Sequence, residues 1–375
     1  MEVRIVPGRG RGLFALRDLS GGHIVLRESP LLVYGEAEAT GPFCAHCIRC
    51  VSSSSPACES CSKARFCDER CRAAAIASSH TPWMCSALQD VARAGIGHEA
   101  ETQARFLLAA VSLAARNAEV FQRLLLLDGQ ASVFANDPRP AGVAELVLAV
   151  LRTHCFELAK GLSLELFLDL LAKDKINAFG LMAPSSGTAQ RKVRAYALYA
   201  QASMLNHDCL PNACRFEYLD KPGASNTDIY IRLLHDVPQG SEICVSYFPV
   251  NWNYKERRER LVEDYGFECN CERCRVEQTW SDGDGEGDEE EAMEHDQTDG
   301  DGVDEEEEMD KDGDGDFPHA MFFVKYLCPE ESCGGTMAPL PGNANLMECN
   351  VCGRLRSEQE FIDDLEQHGT ARHSD

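Results

Sequence analysis

Most of the nineteen cysteines in these 375 residues fall into three groups whose spacing suits a metal ion. The first group, between residues 44 and 85, follows the pattern C-x2-C-x10-C-x2-C-x5-C-x3-C-x8-H-x4-C. Two closed tetrahedral zinc sites need eight such ligands, and the density argues against a chance cluster of buried thiols. The candidate ligands are Cys44, Cys47, Cys58, Cys61, Cys67, Cys71, His80 and Cys85. Cys50 is left over and is expected to be a free thiol.

The second group supplies only three thiolates, Cys269, Cys271 and Cys274, whereas a structural zinc site requires four ligands. Cys209 stands alone in the segment NHDCLPN, where no partner thiol lies at metal-like spacing. A lone cysteine is more often a small buried hydrophobe. Here it can complete a four-thiolate site across about sixty residues of chain. The alternative, an open three-cysteine site with a catalytic water, lacks a placed general base, so we favour the structural site.

The third group lies near the C-terminus and has the spacing C-x4-C-x15-C-x2-C. Its members are Cys328, Cys333, Cys349 and Cys352. The segments CPEESCGG and CNVCG contain the turn residues of two zinc knuckles, which predicts a small zinc ribbon and a further ion. Cys155, Cys214 and Cys244 show no ligand spacing and are expected to be buried thiols.

The elements that must position these groups alternate between strand-like and helical segments. Short β-type runs and glycine-rich turns fill residues 1–35, and strands and loops return between 176 and 250. Residues 99–173 have helical periodicity and predict a helical bundle or insert. The charged segment YKERRERLVEDYG predicts a helix that ends at Gly266. We therefore expect the two β-rich parts to form one interrupted fold.

The formal net charge of −25 is concentrated in one stretch, residues 281–316, which holds 20 Asp or Glu and one Lys. This stretch has almost nothing to bury and predicts a disordered, solvated linker. A calcium loop is disfavoured because the twelve-residue ligand order and flanking amphipathic helices are missing. Attraction of basic partners such as histone tails stays open.

No apolar run is long enough to cross a membrane, and the N-terminal residues lack the apolar core of a signal peptide. We therefore expect an intracellular protein without a membrane partner. In a reducing compartment, clustered cysteines indicate metal ligands rather than disulfides.

Four segments resemble the motifs of SET-domain methyltransferases, in the family's order. RGRGLFAL at 9–16 resembles the N-terminal glycine loop, and NHDCLPN at 206–212 resembles the cofactor motif. SEICVSYF at 241–248 resembles the strand that bears the catalytic tyrosine, and YGFECNCERC at 265–274 resembles the post-SET segment. The first cysteine group resembles a MYND zinc finger. Over residues 1–275 the order is similar to that of SET-and-MYND (SMYD-type) protein lysine methyltransferases.

The chain departs from this family in two places. Asp208 stands where most members have serine. The acidic stretch and the predicted ribbon replace the large helical C-terminal domain of many SMYD-type proteins. The chain thus resembles the shorter, plant-like members, and substrate contacts made by the missing domain cannot be transferred to it.

The resemblance implies an α+β fold. A SET-domain β-fold would contain an inserted MYND finger and a helical insert, followed by a post-SET zinc site and a small C-terminal zinc ribbon. The expected domains are 1–43 (SET N-terminal part), 44–85 (MYND finger), 86–175 (helical insert), 176–250 (SET core), 251–280 (post-SET), 281–316 (acidic linker) and 317–360 (ribbon). The ligands of the two ions in the MYND finger would alternate along the chain. One ion would be held by Cys44, Cys47, Cys67 and Cys71, and the other by Cys58, Cys61, His80 and Cys85.

The resemblance also implies S-adenosyl-L-methionine as the methyl donor and a protein lysine, on a histone tail or elsewhere, as the acceptor. Tyr247 would be the catalytic tyrosine, with Tyr265 and Phe179 lining the lysine channel. A strand tyrosine and a core phenylalanine are the plain alternatives. Phe267 would stack on the adenine. Cofactor contacts would come from Arg9, Gly10, Arg11, Gly12, Asn177, Ser203, Asn206, His207, Tyr247 and Phe267.

A non-enzymatic alternative is an adaptor with a vestigial SET domain whose finger and ribbon recruit partners. The finger carries five basic and three acidic residues, too little net charge for sequence-specific DNA binding. Docking of Pro-containing peptides and simple packing on a neighbour remain equally open. The acidic balance disfavours nucleic acid as a partner. We expect the nucleus, at chromatin, as the location, with the cytoplasm as a second one.

Overall fold

The computed structural model describes residues 1–39, 41–183, 192–279, 319–330 and 333–363. The acidic stretch 281–316, predicted to be a disordered linker, lies outside these residues. Among the described residues, no helix is long and apolar enough to cross a membrane.

Ten short strands from both β-rich parts of the chain build the core. They are β1 (Glu2–Val6), β2 (Gly10–Phe14), β3 (Ile24–Glu28), β4 (Leu32–Gly35), β5 (Phe179–Met182), β6 (Val193–Leu198), β7 (Asn206–His207), β8 (Ala213–Phe216), β9 (Ile229–Leu233) and β10 (Glu242–Val245). They form three small sheets with the strand orders β1-β2-β10-β7, β3-β9-β8 and β4-β6-β5.

Each sheet joins strands that are distant in the sequence. Strand β2 pairs with β10, so that Leu13 lies opposite Ile243, while β3 pairs with β9 and β4 with β6. The predicted interrupted fold is therefore confirmed. The segment around Pro238 joins β9 and β10, which are consecutive in the chain but belong to different sheets. The sheets pack together because each contributes apolar side chains to one core. Leu13 of β2, Ile231 of β9 and Ile243 of β10 are all buried in it.

The predicted helical insert is a bundle of six helices that follows the zinc-finger segment and its single helix α1 (Glu69–Ile76). The six are α2 (Pro82–Arg93), α3 (His98–Arg116), α4 (Ala118–Leu125), α5 (Arg139–His154), α6 (Phe156–Ala159) and α7 (Leu164–Asn177). The long helical pattern breaks at Asn117, whose side chain accepts a hydrogen bond from Val120 N and so begins α4. A second apolar core, which includes Phe106 and Phe167, binds these helices to β4.

The post-SET segment begins with α8 (Tyr254–Arg260), whose first turn is fixed by a capping box between Asn253 and Glu256. A π-helical turn, Leu261–Tyr265, continues it to Gly266, which ends the helix as predicted with φ 73°. Helix α9 (Glu272–Glu277) closes this segment.

After the undescribed stretch come α10 (Ala320–Tyr326) and the strands β11 (Met337–Leu340), β12 (Asn343–Cys349) and β13 (Leu355–Ser357). The three strands form an antiparallel sheet in chain order. We call the described residues 319–330 and 333–363 the ribbon module.

The structure qualifies two expectations. The domain limits remain predictions, and α2 runs across the limit placed at residue 85. Cys214 and Cys244 are buried as expected, whereas Cys155, at the end of α5, is only half-buried because the helix ends there at the surface.

Candidate functional site

Four groups of ligand-type side chains gather in the described part of the chain, and their members are those expected from the sequence. They are Cys44, Cys47, Cys67 and Cys71; Cys58, Cys61, His80 and Cys85; Cys209, Cys269, Cys271 and Cys274; and Cys328, Cys333, Cys349 and Cys352. Within each group the ligand atoms all lie within 4.8 Å of one another. Cys50 belongs to none of them and is exposed, with Arg194 donating to its sulfur.

The spacing of these atoms suits zinc. Four thiolates at a Zn–S distance of about 2.3 Å in a tetrahedron place neighbouring sulfurs about 3.8 Å apart. The Cys209–Cys274 sulfurs are 3.5 Å apart, and the Cys328–Cys352 and Cys333–Cys349 sulfurs are 3.7 and 3.6 Å apart. The residues therefore fit four closed structural zinc sites, three with four thiolates and one with three thiolates and an imidazole.

The site completed by Cys209 joins the core to the post-SET segment. Cys209 is fully buried directly after β7, and its partners lie before and within α9. Two donors point at its sulfur, His207 Nε2 at 3.2 Å and Arg257 Nε at 3.3 Å. The post-SET segment is thus tied to the strand that carries Asn206 and His207.

The histidine beside this site is a neutral, oriented side chain. Burial lowers the pKa of His207 to about 3, so its ring is uncharged at neutral pH. Its Nδ1 accepts a hydrogen bond from Tyr247 N at 3.2 Å, which leaves the proton on Nε2, facing Cys209. The histidine therefore links the metal group to the residue expected to be catalytic.

Tyr247 lies two residues beyond the end of β10 rather than within the strand. Its hydroxyl donates to the carbonyl oxygen of Leu205 at 2.9 Å. Its ring is 5.2 Å from that of His207 and 4.8 Å from that of Tyr265. Burial raises the pKa of Tyr247 above its ordinary value, so the phenol stays protonated.

The other two aromatic side chains expected near the site, Phe267 and Phe179, contact different rings. The Phe267 ring is half-buried and lies 6.5 Å from Tyr265. Phe179 is the first residue of β5, and its ring meets the edge of Tyr199 at 5.5 Å. Phe179, Tyr199 and Tyr247 belong to the same apolar cluster, but the ring contact described for Phe179 is with Tyr199. The structure therefore brings Tyr247, Tyr265 and Phe267 into successive ring contacts, whereas Phe179 packs on Tyr199.

The glycine loop lies against Asn206. A Cβ on Gly12 would come within 2.5 Å of Glu242 Oε1 and 3.1 Å of Asn206 Nδ2. Asn206 donates to that carboxylate at 2.6 Å, and Arg9 pairs with its other oxygen at 3.1 Å. Arg9 also donates to the carbonyl of His207 at 2.7 Å, while Gly10 turns the chain at φ 74°. Glu242 thus organises the cluster, although no spacing in the sequence points to it.

The remaining predicted cofactor residues lie toward the helical insert. Arg11 pairs with Asp128 at 2.9 Å and also donates to Leu126 O at 3.0 Å. Asn177, at the end of α7, donates to Asp128 O and Lys173 O, both at 2.7 Å. Asp128 has no signal in the sequence either, because no spacing relates it to the glycine loop.

The hydroxyl of Ser203 indicates whether a ligand suits the cluster around the glycine loop. Its hydroxyl is buried and has no hydrogen-bond partner among the described residues. A buried unsatisfied hydroxyl is costly, so a polar ligand group is a natural partner. The amide nitrogen of Asn206 already donates to Arg11 O and Glu242, which leaves its oxygen to accept from a ligand. With the aromatic rings, these groups suit a ligand with a polar end and a flat aromatic base.

Asp208, the departure from the family pattern, is half-buried beside the glycine loop. Burial raises its pKa to about 6, although its carboxylate also accepts from Leu210 N at 2.8 Å. The Asp208 side chain thus stabilises the turn that it begins, by accepting from Leu210 N. A serine is not required at this position for the loop to form.

Comparison with known proteins gives consistent matches. The family model described as "SET domain" matches residues 10–248. The histone-lysine N-methyltransferase ASHR2 of Arabidopsis thaliana is 44% identical in an alignment of 386 positions, gaps included, that covers 96% of each chain. The histone-lysine N-methyltransferase SMYD3 of Homo sapiens is 24% identical over 277 residues, 73% of this chain and 61% of its own. A crystal structure of the SET domain of LSMT bound to lysine and AdoHcy covers 72% of this chain and 52% of its own, at 14% identity and a TM-score of 0.34, too weak a likeness for comparing residues.

Proposed function

This chain belongs to the SET-domain family, and we propose that it is a protein-lysine N-methyltransferase that uses S-adenosyl-L-methionine and acts on histones. The observation that carries this proposal is the half-buried hydroxyl of Tyr247, hydrogen-bonded to Leu205 O near the Cys209 metal group. Near-full-length similarity to a plant histone-lysine methyltransferase supports the same reaction and substrate class.

When bound, S-adenosyl-L-methionine supplies a methyl group on a sulfonium, which passes to the lysine nitrogen as the carbon–sulfur bond breaks and leaves a thioether. The acceptor amine must first lose its proton, because only about one lysine in a thousand is neutral near pH 7.4. A dry aromatic channel lowers the pKa of the amine by disfavouring the ammonium form. Tyr247, Tyr265 and Phe179 are the side chains we assign to that channel.

Tyr247 has a defined electrostatic task in this proposal. Its proton is directed to Leu205 O at 2.9 Å, so the oxygen lone pairs remain available to a group bound beside it. An oxygen held in this way stabilises positive charge on a methyl group next to it without reorganising during the reaction. Its raised pKa, caused first by burial, keeps the phenol from becoming a phenolate that would instead hold the substrate ammonium.

The cofactor would be held by the cluster around the glycine loop. Gly10 and Gly12 allow close backbone approach, and Asn206 and Ser203 offer polar groups. Phe267 offers its ring face to the adenine. Arg9 and Arg11 are ion-paired with Glu242 and Asp128, so we assign them first to shaping the loop and only then to the ligand carboxylate.

The zinc ions would be structural. Every group offers four ligands and no open position for water, so the metals would fix chain segments and take no part in methyl transfer. For the group at Cys209, the fixed segment is the one that contains Tyr265 and Phe267.

The partners follow from the reaction. A protein lysine is the substrate, and histone substrates imply a role in the nucleus, with the cytoplasm as a second location. Pro-containing peptides remain our proposal for the finger.

An adaptor with an inactive SET domain is the competing function. It predicts that the pocket binds no methyl donor, whereas the unsatisfied hydroxyl of Ser203 and the oriented hydroxyl of Tyr247 favour an occupied pocket. The two functions differ in a direct measurement of cofactor affinity.

The decisive experiment measures radiolabelled methyl transfer to histones and to cell extract. We expect transfer by the wild-type chain and a loss of at least a hundredfold in Tyr247→Phe, with cofactor binding retained in calorimetry. Tyr254→Phe, a change on the half-buried first residue of α8, is the matched control. A wild-type chain that binds no S-adenosyl-L-methionine would favour the adaptor.

A further inference from the structure

We propose that the ribbon module is a clamp that holds residues 249–279 against the SET core. These residues contain the post-SET segment with Tyr265 and Phe267, and we call them the lid of the cofactor pocket. This inference rests on the proposed function, because the lid matters only if the pocket binds a methyl donor. The metal group of the ribbon module (Cys328, Cys333, Cys349 and Cys352) would then affect cofactor binding although none of its ligands belongs to the proposed pocket.

The first contact of the ribbon module is with the core sheet β3-β9-β8. Met337 and Ala338 of β11 pack with Cys214 and Phe216 of β8, and all four side chains are at most 4% exposed. Gly22 marks how close the two parts come, since a Cβ there would lie 2.9 Å from Pro339 O. The module is therefore packed into the core rather than attached as a separate binding unit.

The second contact is a buried ion pair. Arg232 of β9 is 1% exposed and pairs with Glu348 of β12 at 2.9 Å. Its guanidinium also lies 3.7 Å from the ring centroid of Phe216 and donates to Tyr218. Removing one member of such a pair leaves the other charge buried without compensation. The pair therefore fixes one position of the ribbon on the sheet.

A third contact reaches a side chain next to Phe179. Asn350 of the ribbon module donates to the backbone carbonyl of Arg215 at 2.9 Å. The Arg215 side chain in turn donates to Gly180 O at 3.1 Å and lies 5.6 Å from the ring centroid of Phe179. The ribbon thus supports β8 behind the residue assigned to the lysine channel.

The fourth contact is with the post-SET segment itself. The ring of Phe323 in α10 lies 4.6 Å from the guanidinium of Arg273 in α9. Arg273 is buried and donates to Val250 O at 2.6 Å and to Trp252 O at 2.9 Å. Gly334, in the ribbon, lies against Pro249 and Asn251. The module therefore contacts both the chain leaving Tyr247 and the helix that carries Cys274.

These contacts surround residues 249–252, the connection between Tyr247 and α8. The Cys209 group attaches the post-SET segment to the core directly. The ribbon module, itself packed on β8 and β9, attaches it a second time through Phe323 against Arg273 and Gly334 against Pro249 and Asn251. A lid held at one point can still pivot, whereas a lid held at two points cannot. We therefore expect the ribbon to reduce the motion of residues 249–279.

The test uses the full chain with Phe323→Ala, which removes the contact to Arg273 but leaves all sixteen ligands in place. Met321→Ala, on the same helix and 63% exposed, is the control. Hydrogen–deuterium exchange is measured for residues 249–279 and for the finger, and S-adenosyl-L-methionine affinity is measured by calorimetry. We expect Phe323→Ala to accelerate exchange at 249–279 alone and to weaken affinity at least fivefold.

A second variant, Cys349→Ser, removes a ligand of the ribbon site and should give the same two effects more strongly. Unchanged exchange at 249–279 in both variants would overturn the clamp. Faster exchange with unchanged affinity would overturn its link to the lid. If the wild-type chain binds no S-adenosyl-L-methionine, the proposed function fails, while the exchange data still decide whether the clamp exists.

Discussion

Arg257 Nε lies 3.3 Å from the sulfur of Cys209, and the same guanidinium pairs with Glu277 at 2.6 Å. This arginine is fully buried. Four thiolates around Zn²⁺ carry a net charge of about −2, so a buried cation beside them offsets part of that charge. The helix α8 is thereby tied to the metal group that lies under the proposed lid.

Arg257→Gln is expected to weaken this metal group. Removing one member of a buried charged network costs about 3–5 kcal/mol. Here the Cys209 group loses the cation beside it, and Glu277 keeps only its pair with Arg273 at 2.6 Å. We expect a lower free energy of unfolding and, in a chelator-driven zinc release assay, faster release of one of the four ions. Arg258→Gln, on the exposed side of the same helix, is the control, and equal release from both variants would contradict this role.

Cys271→Ser is expected to abolish methyl transfer by loosening the lid. The variant loses one of four thiolates in the Cys209 group, so we expect three bound zinc ions per chain instead of four. Cofactor affinity should fall with it, because Phe267 precedes Cys269 by two residues. Metal analysis and calorimetry check both effects, with the exposed Cys50→Ser as control. Full turnover with a normal zinc content would refute the proposal.

Gly12→Ala is expected to disturb the cofactor cluster. The added Cβ would lie 2.5 Å from Glu242 Oε1, so the carboxylate must move and release Asn206 or Arg9. We expect a loss of about 1–3 kcal/mol in stability and about tenfold in cofactor affinity. Gly142→Ala, in α5 with open space around it, is the matched control and should stabilise the chain by about 0.5–1 kcal/mol. Equal effects of the two substitutions would argue against close packing at the loop.

The buried carboxyl of Asp174 predicts a pH-dependent stability. Burial raises its pKa to about 7, and Tyr34 Oη donates to it at 2.5 Å. Because the folded pKa lies above the unfolded one, the stabilising effect is complete below the unfolded pKa and is lost as pH rises toward 7. The contribution of Asp174 to the free energy of unfolding should fall by up to about 1.4 kcal/mol per pH unit in that range, while the lowered pKa of His207 acts in the opposite direction.

Asp174→Asn should flatten this dependence between about pH 4 and 7, as measured by urea unfolding at each pH. Glu145→Gln, on an exposed helix position, should leave the slope unchanged. A difference in unfolding free energy between wild type and Asp174→Asn that stays constant over that interval would contradict the assignment.

A feature can be predicted from the sequence alone where its chemistry requires particular residue types in a fixed number. Three thiolates in CNCERC require a fourth ligand, so counting ligands is enough to pair Cys209 with them. The interrupted fold is predictable because hydrophobic patterns and turn residues are local properties. The helix end at Gly266 follows from the same local chemistry, since glycine accepts a positive φ.

Contacts that depend on packing alone are not predictable in this way. No spacing rule relates Glu242 to Arg9, Asp128 to Arg11, or Phe323 to Arg273, because each pair meets only after distant segments dock. The end of β10 at Val245, short of Tyr247, is also set by tertiary packing. The roles of Tyr247, Tyr265 and Phe179 remain predictions until the variants are assayed.

The pairing of β2 with β10 also has a consequence for how the chain is made. Phe14 meets Glu242, so a ribosome must release some 230 residues between them before this sheet can close. The zinc finger and the helical bundle have mainly local contacts and can form while synthesis continues. During that interval β2 can pair with β1 alone. The edge of β2 that later meets β10 stays open to pairing with another strand.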